Sequence, residues 1–293
     1  VRVSEAIENI ELQFDSGPGG LSIRCDVAGQ ASEPDRPLVL VHGLTGHRKD
    51  FELVLPVLAR HGRVLAPDLR GHGDASLQGS AEGHDFATLV EDLRALLDGL
   101  GVERCDLLGH SFGGMLALRF VLAYPERVAS LVLMGTSCEP PDDYSREMFE
   151  KAGGFATSRG LDELQARLEE TGRRDEDPLP DDASEEQRDW RARYWDHHRL
   201  RIRAMDPWAY GTLGVAMMDQ ATVTDRLGEI SCPTSVIIGL DDREFVRGAR
   251  LLVEGIPNAV EYALGGIGHQ PHQEAKARFL EIMAEHLDAA RSA

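Results

Sequence analysis

The chain of 293 residues carries 50 acidic against 31 basic side chains, a formal net charge of −19. That surplus repels phosphate backbones and anionic bilayers, which argues against nucleic acid or a membrane surface as a partner. With 42% hydrophobic and 28% charged residues, the composition is neither disordered, fibrous nor repetitive, and the length suits one large domain or a domain with an insertion.

The opening segment VRVSEAIENIELQF has no apolar run behind a basic start, and no window approaches about 18 apolar residues, so a soluble, cytoplasmic protein is expected. Strands are predicted over residues 21–28, 37–41 (PLVLV) and 63–66 (RVLA). A helix follows Asp85, a suitable N-cap, with Phe86, Leu89, Val90, Leu93, Leu96, Leu97 and Leu100 forming one apolar stripe. Another strand, 105–108 (CDLL), leads into a helical pattern from Ser111 to Ala123 that ends before Pro125, and a strand follows at 130–134. After Ser137 the alternation of strand and helix stops, and a charged, helix-biased stretch runs to about Thr224. Strands at 234–238 (TSVII) and 259–263 (AVEYA) and a helix over 273–289 restore the rhythm.

Short buried strands alternating with helices give an α/β class with a mostly parallel central sheet flanked by helices. The interruption reads as an inserted helical cap, dividing the chain into core 1–137, cap 138–224 and core 225–293. All three tryptophans, Trp190, Trp195 and Trp208, fall in the cap. Together with Tyr210 and Met217 they are candidates for lining a substrate pocket. Cys25, Cys105, Cys138 and Cys232 are widely spaced and fit buried, reduced thiols better than disulfides or a zinc site. No motif calls for a metal, nucleotide or flavin, so no cofactor is expected.

Gly109-His110-Ser111-Phe112-Gly113 fits the G-x-S-x-G nucleophile elbow and lies in the required setting, after an apolar strand and at the start of a helix. Glycines are needed there because flanking side chains would collide with the adjoining strand and helix. The helix start aims backbone N–H groups at the developing oxyanion, Phe112 among them. A second N–H is expected from the loop His42-Gly43-Leu44-Thr45-Gly46, with Leu44 the chosen donor.

A serine hydroxyl needs a base to take its proton and a third group to fix the base's tautomer. Of 11 histidines, His269 follows a strand and a glycine, whereas His197 and His198 lie in a charged helical stretch and His110 is expected to point away from Ser111. His272 and His286 are assigned to solvated positions in or near the last helix. The acid is sought in Asp241-Asp242, after the strand TSVII.

Together, HGLTG at 42–46, DLRGHG at 68–73, GHSFGG at 109–114, GLDD at 239–242 and GIGH at 266–269 resemble the α/β-hydrolase superfamily over nearly the whole chain outside the cap. The resemblance implies Asp242 as the triad acid, with Asp68 in a structural loop. It also implies hydrolysis of a carboxylic ester or lactone of a small, largely apolar substrate through an acyl-enzyme. Relatives that use an aspartate at the elbow, such as haloalkane dehalogenases and epoxide hydrolases, are set aside by Ser111. Carbon–carbon bond hydrolases usually show Asn or Ala near the elbow and Trp after the histidine, where this chain has His110 and Gln270, so they stay a minor alternative. A cofactor-free lyase or oxygenase, or a binding protein that has lost turnover, are the others. Within 188–203, Arg188, Arg191, Arg193, Arg199, Arg201 and Arg203 outnumber Asp189 and Asp196; a solvated face is the plainer reading, recognition of a substrate carboxylate the sharper one.

Overall fold

A computed structural model describes residues 7–14, 20–31, 35–75, 79–171, 179 and 183–292. Among them, eight strands form one sheet in the order β1-β2-β4-β3-β5-β6-β7-β8. The strands are β1 (Glu8–Phe14), β2 (Leu21–Ala28), β3 (Leu38–Val41), β4 (Val64–Pro67), β5 (Cys105–His110), β6 (Val128–Met134), β7 (Thr234–Gly239) and β8 (Val260–Leu264). β1 and β2 run antiparallel to their neighbours and the rest are parallel. β3, β4, β5 and β6 are buried along their whole length, which their unbroken apolar sequences require. β1 was not among the predicted strands. Its alternation of Ile10 and Leu12 with polar residues is the period of an edge strand that covers one face only.

Helices α1 (Leu55–Leu58), α2 (Phe86–Gly99), α3 (Phe112–Ala123), α8 (Arg243–Gly255), α9 (Pro271–Glu274) and α10 (Lys276–Ser292) accompany the sheet. The Asp85 side chain accepts from the Thr88 N–H, and the predicted apolar stripe of α2 is the face it buries. Between β6 and β7 stand α4 (Arg146–Arg159), α5 (Leu161–Thr171), α6 (Glu185–Arg203) and α7 (Pro207–Asp219). Residues 172–178 and 180–182 of the expected insertion lie outside the described residues. At the start of α6, Ser184 and Gln187 form a reciprocal capping box.

Two corrections concern the C-terminal segment. The helix expected over 273–289 is divided into α9 and α10, and His272 and His286 are buried rather than solvated. α10 lays Phe279, Ile282, Met283, His286 and Leu287 against the sheet at helical spacing, so His286 shares the apolar face and meets the Ser235 hydroxyl at 2.8 Å. No described helix is long and apolar enough to cross a membrane.

Candidate active site

β5 carries the chain into a sharp turn at Ser111, whose φ of 55° and ψ of −121° place a non-glycine residue in strained backbone. The turn is possible because its neighbours lack side chains. A Cβ on Gly109 would come 2.4 Å from the Gly113 carbonyl oxygen, and one on Gly113 would come 2.4 Å from that of His42. The hydroxyl thus sits at the start of α3, at the C-terminal edge of the parallel strands, where open α/β sheets bind ligands.

The loop after β3 reaches the same edge, since a Cβ on Gly43 would stand 3.1 Å from that of Ser111. The Gly46 N–H closes the loop onto the Gly43 carbonyl at 3.0 Å. Neither the Leu44 nor the Phe112 N–H has an acceptor among the described residues. Both remain available to a developing oxyanion.

This loop is braced from below by the predicted structural segment DLRGHG. Asp68 takes hydrogen bonds from the Arg48 guanidinium at 2.5 Å, the Arg48 N–H and the Asp74 N–H. The Leu69 N–H donates to His42 Nε2 at 3.0 Å, and His72 Nε2 donates to the Leu44 carbonyl at 2.6 Å. Burial lowers the titration of both rings, far below the ordinary histidine range for His42. His42 accordingly donates through Nδ1 to the Gly43 carbonyl and accepts through Nε2, whereas His72 faces carbonyl oxygens with both nitrogens, Leu44 at 2.6 Å and Arg70 at 2.9 Å.

Asp242 follows β7, and His269 follows β8. Asp242 Oδ2 lies 2.8 Å from His269 Nδ1, with the carboxylate buried and the ring partly open. The neighbouring Asp241 is exposed. A carboxylate acceptor places the proton on Nδ1 and leaves Nε2 with a free lone pair, the form a general base needs. Phe245, from the first turn of α8, stacks on the ring at 4.8 Å. Among the described residues no hydrogen bond joins Ser111 Oγ to His269.

Two residues that sequence reasoning did not assign hold His269 in place. The Glu274 carboxylate accepts from the Gly268 N–H at 2.7 Å and the Gln270 N–H at 2.8 Å, gripping the backbone on both sides of His269. His110 does not simply point away from Ser111. Its Nε2 donates to the His269 carbonyl at 2.8 Å, and its ring packs on those of His269 and His272. A Glu five residues after a candidate histidine was the available signal for Glu274; nothing local announces the role of His110. Glu274→Ala is expected to lower kcat by about 10- to 100-fold with a smaller change in KM, because it loosens the base and not the pocket. Steady-state kinetics check this, and an unchanged kcat would remove Glu274 from the account.

The five aromatic and Met candidates of the inserted helices divide. Trp190 is buried and meets His197 edge-on at 5.5 Å, a ring that lies 3.5 Å from Asp50. Trp195 packs on Tyr194 and His198. Tyr210 tilts against Phe149 at 6.4 Å, and Met217 is buried in the main core cluster. Trp208 is 43% exposed in an open groove with Glu150, Gly153 and Thr157. α7 turns Trp208 outward into this groove while Ala209 and Tyr210 take the buried face.

A family profile for the alpha/beta hydrolase fold matches residues 36–159. A 2-hydroxy-6-oxononadienedioate/2-hydroxy-6-oxononatrienedioate hydrolase of Cupriavidus pinatubonensis is 30% identical over 97% of this chain and 97% of its own length. Among solved structures, a thermophilic esterase from Thermogutta terrifontis superposes with a TM-score of 0.81 at 22% identity, covering 97% of this chain and 99% of that one. The enol-lactonase from Burkholderia xenovorans LB400 gives 0.77 at 19% identity over 94% and 99%. At such identities the two structures speak for the fold alone.

Proposed function

The chain belongs to the α/β-hydrolase family, and on that premise we propose that it is a serine hydrolase that cleaves a carboxylic ester or lactone of a small substrate through an acyl-enzyme. Ser111 attacks the carbonyl carbon, His269 takes its proton through Nε2, and Asp242 stabilises the imidazolium that forms. The Leu44 and Phe112 amides hold the oxyanion. His269 then returns the proton to the leaving alcohol, and a water activated by the same ring releases the acid.

The observation that carries this reading is Ser111 in strained backbone at the start of α3, on the strand edge where Asp242 bonds His269. A strained serine persists where the surroundings enforce it, and nucleophile elbows are such places. The second reading is hydrolysis of a carbon–carbon bond, favoured by what the Cupriavidus relative acts on. A panel of nitrophenyl esters of graded acyl length, a set of lactones and a 2-hydroxy-6-oxodienoate separates the two. Turnover of the esters or lactones with the dienoate left intact is expected; turnover of the dienoate alone would replace the first reading by the second.

A further inference from the structure

Within the basic stretch of α6, most arginines have ordinary surroundings. Arg199 pairs with Glu169 at 2.6 Å and Asp196 at 2.7 Å, and the exposed Arg203 pairs with Asp162 at 2.5 Å. Arg201 differs: it is 4% exposed and makes no hydrogen bond among the described residues. Its nearest carboxylate oxygen is that of Asp50, 3.9 Å from a terminal guanidinium nitrogen and too far for a hydrogen bond.

That neighbour is a weak counterion. Burial pushes the Asp50 carboxyl up to about 7 against the opposing pull of Arg201. The other groups facing the guanidinium are the rings of His47, His197 and His272, pushed down to about 3, about 2 and about 3 by burial first and the Arg201 charge next. Neutral imidazoles do not cancel a cation, so the guanidinium is an under-compensated positive charge.

It is also close to the chemistry. His272 packs at 5.1 Å on His110, the residue before Ser111, and His110 in turn holds His269. The Arg201 charge acts on His42 and His110 as well, the rings beneath the oxyanion loop and beside the elbow.

Stability does not explain such a residue. A buried guanidinium without hydrogen bonds costs the fold, and apolar replacements of buried ion pairs are often neutral or stabilising. An incoming carboxylate, by contrast, matches its planar fork with paired hydrogen bonds. In a protein of net charge −19, a buried guanidinium is a local positive charge that an anionic group would otherwise lack.

We propose that Arg201 sets substrate specificity and that the substrate carries a free carboxylate besides the bond to be hydrolysed. The proposal rests on the serine-hydrolase reading and narrows its substrate class. Asp50 is the resident counterion, which only approaches the guanidinium and gives way when the substrate carboxylate arrives.

The test compares a neutral ester, p-nitrophenyl butyrate, with its acidic counterpart, mono-p-nitrophenyl glutarate, on the parent, Arg201→Gln and Arg201→Lys. Arg201→Gln is expected to lower kcat/KM for the acidic ester relative to the neutral one by about 10- to 150-fold, mostly through KM, with Arg201→Lys in between. Its thermal midpoint should equal or exceed that of the parent. A lower midpoint with equal losses on both esters would make Arg201 a structural clamp and overturn the proposal. An unchanged ratio would also overturn it while leaving the hydrolase standing. If neither ester is turned over, the hydrolase reading falls by itself, and calorimetric titration with glutarate decides the remaining question: Arg201-dependent binding upholds the carboxylate site, and its absence rejects it.

Discussion

Ser111→Ala is expected to lower kcat by roughly 10⁴- to 10⁶-fold while leaving the fold and KM close to those of the parent. The nucleophile is lost, but the amides of Leu44 and Phe112 and the pocket remain. Asp242→Asn should cost about 10⁴-fold for a different reason. An amide that donates to Nδ1 moves the ring proton to Nε2, and His269 can then no longer accept from serine. Ser111→Gly adds an independent check. The backbone at φ 55° and ψ −121° is strained for serine and open to glycine, so this variant should be inactive yet more stable, by about 1 kcal/mol. Denaturant unfolding checks this alongside the kinetics, and a Ser111→Gly protein that is less stable than the parent would contradict the assigned strain.

The second large effect is expected in acid. Burial lowers the titration of eight histidines, His42, His47, His72, His84, His110, His197, His272 and His286. Those with values fall to between about 2 and about 4. In the unfolded chain each takes a proton as pH falls below about 6.5, while in the fold His47, His197, His272 and His286 stay neutral down to about 4. The unfolded state then binds more protons, so stability is full above that pH and declines below it.

At pH 5.5 the cost is about 1.4 kcal/mol for each such histidine. The four with values would together remove about 5–6 kcal/mol from a total that is usually about 5–15. Asp50 works in the opposite sense: its carboxyl, raised to about 7, favours the fold as pH falls through that value, but it is one group against eight. Urea unfolding at pH 7.5 and 5.5 should therefore give a much lower free energy at the acid end, with protons taken up on unfolding. Equal stability at the two pH values would contradict the neutral burial of these rings.

The sequence was most informative where chemistry is local. Ser111 and His269 stand in short glycine-flanked segments at strand ends, and steric demand alone makes such segments recognisable. Asp242 needed the resemblance to a known family, because two adjacent carboxylates satisfy the same local pattern. The strands from β2 to β8 were visible as apolar runs, whereas β1 was missed because half of its alternating residues face solvent.

What stayed hidden depends on partners distant in the chain. His110 and Asp50 are defined by groups from elsewhere in the fold, the carbonyl of His269 for one and the cap residues His197 and Arg201 for the other. The six arginines of α6 look alike in sequence, and only the packing of that helix turns Arg201 inward and leaves Arg199 and Arg203 at the surface. His286 could have been placed from its spacing with Phe279, Ile282 and Met283. His272 could not, because α9 is too short to show a period.

Acylation of Ser111 is tested by denaturing mass spectrometry of the protein quenched within the first turnovers of p-nitrophenyl acetate. The predicted result is one acetyl group per chain, carried by the peptide that contains Ser111 and absent from Ser111→Ala. Turnover of the ester by a protein that carries no acyl group, or carries it on another residue, would contradict the claim.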